Sequence, residues 1–386
     1  MFTFKSPRAA IMLVFAAFGA CVGVWAGSIP QVTVAAGINS YNLGLSLTAS
    51  SLLGVIAMAM GGVIGRRFSN RFMMLALIPI LAIITILLLI STSPLFFFLS
   101  LTLFGGLLGA LDLFMNAEAS AVEHDLGRPV FTAFHGAVSI CIAVFAIASS
   151  YLSATFGTLA AGAAILPISA LAWVLVYFFV PARQLTHGKA GGLSQLPSRL
   201  PLVIMGLAAG ISISAETSAI FWSAKLLNEQ APALAAITGL GAAFYGLCNG
   251  IMRFAGDYLR ARFTDIPVML ASIIVATIGF AALGLSSTFA VSTLAFAAVG
   301  FGLAVICPCL FNMAAAQAPA NRAAGLSFMS MITGAPRVLA PWLFGWIATS
   351  QTTSFAFGMC SFILVIAFAL VMGLRNMSFQ NLARAV

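Results

Sequence analysis

Charge is what this sequence has least of. Across 386 residues Lys and Arg number 17, Asp and Glu 8 and His 3, so charged side chains are 6% of the chain, against about 25% in a soluble domain. Hydrophobic residues reach 62% and mean hydropathy is +1.12. A chain this apolar cannot dress itself in a water-facing surface, which excludes a soluble enzyme and a disordered segment. The net charge of +9 comes from scattered bases, not a patch, which excludes a nucleic-acid binder. Other machinery is missing too. There is no G-x4-G-K-[ST] loop for ATP, and the three His lie too far apart for a metal pair. The six Cys (Cys21, Cys141, Cys248, Cys307, Cys309 and Cys360) all fall in apolar stretches, so no disulfide framework is implied. Cys307-Pro308-Cys309 has no His or acid near it and reads as packing around a helix-bending Pro. No cofactor, no metal and no enzymatic centre are expected.

Long apolar runs are what the sequence does have. Crossing about 30 Å of hydrocarbon takes roughly 20 apolar residues, and such runs cover 9–35, 43–65, 72–92, 95–121, 130–154 and 158–180. A more polar interval follows, and then six more runs: 201–224, 235–257, 266–286, 289–316, 323–349 and 353–374. They are continuous rather than alternating, which excludes a β-barrel. The first run lacks a small-residue cleavage site and reads as a retained span. The expectation is an all-α membrane protein with twelve transmembrane helices in two pseudo-symmetric six-helix bundles. Residues 1–182 form the first bundle, 183–200 a cytoplasmic inter-domain loop and 201–386 the second bundle.

Base placement orients the chain. With the N-terminus inside, fourteen bases lie on the cytoplasmic side: Lys5, Arg8, Arg66, Arg67, Arg71, Arg128, Arg183, Lys189, Arg199, Arg260, Arg262, Arg322, Arg375 and Arg384. Only Lys225 falls outside, while Arg253 and Arg337 lie within spans. Both termini are expected in the cytoplasm of a cell with a bacterial-type inner membrane.

The two halves echo each other. Gly62 and Arg66-Arg67-Phe68-Ser69-Asn70-Arg71 follow span 2; Gly250, Arg253 and Gly256-Asp257-Tyr258-Leu259-Arg260-Ala261-Arg262-Phe263 close span 8. Trp25 in span 1 answers Trp222 in span 7, and Phe114-Met115-Asn116-Ala117 in span 4 answers Phe311-Asn312-Met313-Ala314 in span 10. Six-plus-six repetition marks transporters that alternate access to a midplane site.

On these residues the chain resembles the major facilitator superfamily, whose loops after spans 2 and 8 follow a Gly–x3–acid–Arg–x–Gly–Arg–Arg pattern. Asp257 keeps the acid in the second copy. Arg66 and Ser69 replace the acid and a Gly in the first. Leu111-Asp112-Leu113-Phe114-Met115-Asn116-Ala117, Gly127-Arg128-Pro129, Phe134-His135, Glu216 and Trp222-Ser223 resemble the rhizopine-permease-like branch, which is related to the fucose permeases. In fucose permeases a span-4 acid four residues before an Asn takes part in proton coupling, and Asp112 with Asn116 has that spacing. Phe221 stands where an acid is common.

Charge within hydrocarbon costs at least about 2.5–3.5 kcal/mol, so each instance needs a reason. Gly105, Gly109, Asp112 and Asn116 share one face of span 4. Asp112 reads as a proton carrier or hydroxyl acceptor, or alternatively as a helix-packing hydrogen bond. His135 lies at similar depth on span 5 and could share its proton, or simply pack. Glu216 in span 7 and Arg337 in span 11 could neutralise each other, as a switch or as a fixed bridge. Trp25, Trp222, Tyr245, Asn249 and Asn312 complete the candidate cavity wall. Arg67, Arg71, Arg253, Asp257 and Arg260 are read as gating-loop residues, and Glu118 as neutralising a cytoplasmic base such as Arg128. The function expected is proton-coupled secondary transport of a small polar solute (a sugar, cyclitol or similar) by a monomer. The alternative is proton-driven export of amphipathic or drug-like compounds.

Overall fold

The computed structural model describes residues 6–127, 130–184, 199–317 and 322–383, without the side chains of 257, 322–324 and 378–383. Among the described residues every regular element is helical. The first half runs α1 (Pro7–Ala35), α2 (Ser40–Ile64), α3 (Asn70–Leu89), α4 (Pro94–Leu126), α5 (Phe131–Phe156), α6 (Thr158–Ala163) and α7 (Leu166–Phe179). The second runs α8 (Leu200–Gln230), a 3-10 turn (Pro232–Ile237), α9 (Leu240–Phe263), α10 (Asp265–Leu285), α11 (Phe289–Leu303), α12 (Ile306–Gln317), α13 (Arg322–Ser350) and α14 (Thr353–Ala383).

The helix boundaries have local causes. Ser6, Asn39, Ser69 and Ser93 cap α1 to α4 by accepting backbone N–H bonds three residues on. Spans 6 and 10 are each broken in two, and both breaks have a Pro just beyond them: Pro167 and Pro308 have no N–H to offer the carbonyls of Ala163 and Ala304. Pro79 likewise leaves the Leu75 carbonyl without its usual donor inside α3. The Trp173 indole of α7 supplies one from outside, 2.9 Å away. In lipid such a substitute matters, because no water is available to do the same.

Eleven helical spans among the described residues are long and apolar enough to cross a bilayer. The remaining long helix, α13, has 29 residues, and Pro336, Arg337 and Pro341 interrupt its apolar run. It packs against α2 and α8.

Small residues hold the helices together, as expected where lipid is as apolar as Leu. On α1, a Cβ at Gly19 or Gly23 would sit 2.5 or 2.6 Å from the Val138 or Ile142 carbonyl oxygen of α5. The second half packs α8 on α13 in the same manner, through Gly206 and Gly210. Between the halves, α2 meets α13 and α5 meets α9. Gly44 lies against Gly345 and the Pro341 carbonyl, while Ser150 Oγ donates to the Ala236 carbonyl at 3.1 Å. These last contacts lie at the end of the molecule opposite Arg66, Arg71, Arg183 and Arg260.

Candidate functional site at the junction of the halves

Packing of α4 against α5, and of α5 against α9, brings a chain of polar groups together. Asn116 Nδ2 donates to the Asp112 carbonyl and to its Oδ1, 2.8 Å each. His135 Nε2 lies 3.1 Å from Asn116 Oδ1. That oxygen can only accept, so His135 presents Nε2–H. The imidazole is held between Phe15, edge-on at 5.2 Å, and Phe131 at 5.1 Å. Asp112 and His135 therefore communicate through the Asn116 amide and not by direct contact.

One turn beyond His135, Ser139 carries the network across the junction. Its hydroxyl lies 3.3 Å from the His135 carbonyl and 3.3 Å from Asn249 Oδ1, and it accepts from Arg253 at 3.4 Å. Arg253 also donates to Glu216 at 3.4 Å. Asn249 Nδ2 donates to the Tyr245 hydroxyl at 3.2 Å and to the Gly300 carbonyl at 3.4 Å, and Tyr245 lies within electrostatic range of Glu216. Asn249 and Tyr245 are fully enclosed, so these bonds replace water the site excludes.

Glu216 thus pairs with Arg253, where sequence reasoning had set it against Arg337 and had given Arg253 to a gating loop. Arg337 instead lies within electrostatic range of Asp112 and of Cys307. Trp25 and Trp222 are packed into the bundles, against Phe97 at 5.8 Å and Phe344 at 4.7 Å. Asn312 is bonded to Asp265 at 3.0 Å, outside the central network.

The base-rich end carries its own bridges. Asp265 accepts from Arg260 at 2.7 Å as well as from Asn312. In the first half Asn70 donates to the buried Glu118 at 3.2 Å, and Arg183 lies 3.8 Å from the same carboxylate. Arg183 also bonds Asp125, which raises its pKa further above the ordinary arginine value. Glu118 thus answers Asn70 and Arg183; Arg128 is outside the described residues. Glu123 caps α5, accepting from the Val130 and Phe131 amides at 2.8 and 2.7 Å. Arg71 donates to the Tyr177 carbonyl and covers its ring at 5.3 Å, whereas Arg67 is exposed. The side chain of Asp257 lies outside the described residues.

Sequence reasoning missed Ser139 and Cys307. Ser139 was signalled by its position one turn after His135 on the same face. Cys307 occupies, in the second half, the place Asp112 has in the first. Ser50 against Gly105 corresponds to Tyr245 against Gly300, and carrying the same offset onward sets Cys307 opposite Asp112.

The chain matches no protein-family model. It is 26% identical to an uncharacterized MFS-type transporter of Yersinia pestis over 93% of this chain and 94% of the relative. It is 27% identical to an uncharacterized transporter of Sinorhizobium fredii over 92% and 93%, and 24% identical to the membrane protein MosC of Rhizobium meliloti over 89% and 84%. Among solved structures, a bacterial homolog of the human lysosomal transporter Spinster, inward-facing and occupied, superposes with a TM-score of 0.75 at 12% identity, covering 96% of this chain and 97% of that one. A mutant of the nucleoside transporter NupG gives 0.73 at 15%, covering 95% and 100%. Apolar spanning helices, a polar junction between two helical halves, and relatives that share nearly the full length agree: the chain is an integral membrane protein with the fold of major facilitator transporters, and its relatives indicate a membrane transporter of the MFS type.

Proposed function

We propose that the protein is a proton-coupled secondary transporter that moves a small polar solute across a bacterial-type inner membrane by alternating access. One observation carries this reading: the Asp112–Asn116–His135 chain, which continues through Ser139 to Arg253 and Glu216 of the other half. A proton arriving at Asp112 changes what Asn116 can donate to, hence the bond to His135, hence the fit of α5 on α9. Protonation is thereby tied to the packing of one half on the other, which is what coupling requires. Relatives named as nucleoside and MFS-type transporters support a small-molecule cargo. Residues 1–182 and 201–386 would act as the two rocking bodies of a monomer, with both termini in the cytoplasm. The sealed contacts around Gly44, Gly345 and Ser150 would then close the outer face, in keeping with the inward-facing neighbour.

The test is uptake into proteoliposomes under an inward proton gradient. Asp112→Asn is expected to abolish accumulation above equilibrium while sparing solute counterflow, because exchange needs no net proton movement. Normal accumulation by Asp112→Asn would sink the coupling assignment.

A further inference from the structure

Arg337 is the charge that the network leaves over. Glu216 and Arg253 answer each other, and Asp112 accepts from Asn116. Arg337, half-buried near the middle of α13, makes no hydrogen bond or ion pair among the described residues; its electrostatic neighbours are Asp112 and Cys307. A guanidinium at that depth is expensive and persists where something completes it. Its surroundings are built for access. A Cβ on Gly334, nearly one turn earlier, would meet nothing within 4 Å. Pro341, one turn later, has no N–H to offer the Arg337 carbonyl, so donors and an acceptor stand free at one level of the helix.

Charge balance states what fits. With Asp112 ionised, Asp112 and Glu216 offset Arg253 and Arg337. A proton on Asp112 leaves one positive charge over, centred on Arg337. A neutral solute leaves that charge uncompensated and a dianion overshoots it. A monoanion closes the balance, and the planar fork of an arginine matches a carboxylate in two parallel bonds.

We propose that Arg337 anchors the carboxylate of a monoanionic solute and that Asp112, protonated, gives up its hold on Arg337 as that carboxylate arrives. This rests on the transport reading and narrows it: the cargo is an acid carrying hydroxyl or similar polar groups, moved with one proton and no net charge. The titratable and charged groups facing this exchange are Asp112 on α4, His135 on α5, Glu216 on α8, Tyr245 and Arg253 on α9, and Cys307 on α12. Among them only Asp112 is a carboxylate without a basic hydrogen-bond partner.

Matched pairs of solutes test the anchor whatever the natural cargo is. Purified protein is melted with gluconate against glucitol, glucuronate against glucose, lactate against propane-1,2-diol, and with inorganic phosphate. At least one carboxylate is expected to raise the melting temperature of the wild type where its neutral partner does not. Arg337→Gln should remove that shift. Arg337→Lys, which keeps charge but loses the fork, should need roughly tenfold more ligand. Asp112→Asn, which mimics the protonated acid, should bind the carboxylate more tightly at alkaline pH. Equal shifts by acid and alcohol, a shift that survives Arg337→Gln, a response to phosphate alone, or no carboxylate response in any pair would each overturn the proposal. The wild-type comparison of acid with alcohol stands even where a variant folds poorly. Arg337-dependent binding without gradient-driven uptake would sink proton coupling and leave the anchor in place.

Discussion

The two halves solve the same structural problem with exchanged chemistry. At the base-rich end Asn70 opens α3 and bonds Glu118 of α4, while Asp265 opens α10 and bonds Asn312 of α12. Acid and amide have traded places, and an arginine attends the acid in each case, Arg183 or Arg260. The bridge between helices is what the fold needs; which partner carries the charge is free. Nearer the centre the exchange stops. The first half holds its acid with an amide that an imidazole braces from behind, and the second holds its acid with an arginine that also reaches back to Ser139 of the first. The repeat preserves geometry where it supports the fold and abandons it where the two halves meet.

Breaking the central pair should have the largest effect. Arg253→Gln strands Glu216 and is expected to cost about 3 kcal/mol, much of it recovered by adding Glu216→Gln. Asn116→Ala breaks only neutral or singly charged bonds and should cost about 1–2 kcal/mol. Thermal melts of the three variants measure both, and equal losses would erase the distinction between the halves.

The glycine seams come next. Gly23→Ala drives a Cβ to 2.6 Å from a backbone oxygen of α5, while Gly210→Ala meets the Pro336 ring at 2.8 Å and the Thr333 carbonyl at 3.0 Å. Both should destabilise by about 1–3 kcal/mol, the first more than the second. The same melts, together with the fraction of monodisperse protein in detergent, rank them.

A smaller effect sharpens the exchange itself. Glu118→Gln with Asn70→Asp writes the arrangement of the second half into the first. The double variant is expected to lie within about 1 kcal/mol of the parent, because an acid at the first position of a helix also suits its dipole. Glu118→Ala alone should do worse, and a double variant no better than Glu118→Ala would show that the two bridges are not interchangeable. Least of all, Trp173→Phe removes the substitute donor for Leu75 and should cost about 1 kcal/mol, read as a lower melting temperature with the fold intact.

How much of this was legible in the sequence follows from the range of each force. The helical class and the positions of the spans were readable because crossing a bilayer is a local demand: some twenty apolar residues in a row, interrupted where Pro falls. The rarity of charge singled out Asp112, Glu216, Arg253 and Arg337 for the same reason. Repeat matching was less secure. It set Asn116 beside Asn312, yet Asn312 does the work of Glu118, because similarity of short words does not register which face of a helix they occupy.

Pairing was beyond the sequence altogether. Whether Glu216 meets Arg253 or Arg337, and whether Asn116 stands between Asp112 and His135, depends on how each helix is rotated. Rotation is set by seams such as Gly19 and Gly23 of α1 against α5, or Gly206 and Gly210 of α8 against α13, acting between residues more than a hundred positions apart. The sequence by itself determined that this is a helical membrane protein with a handful of costly charges inside it. Tertiary structure alone decided which of those charges were neutralised and which one was left without an ion pair among the described residues, since an ion pair forms between neighbours in space and close packing chooses the neighbours.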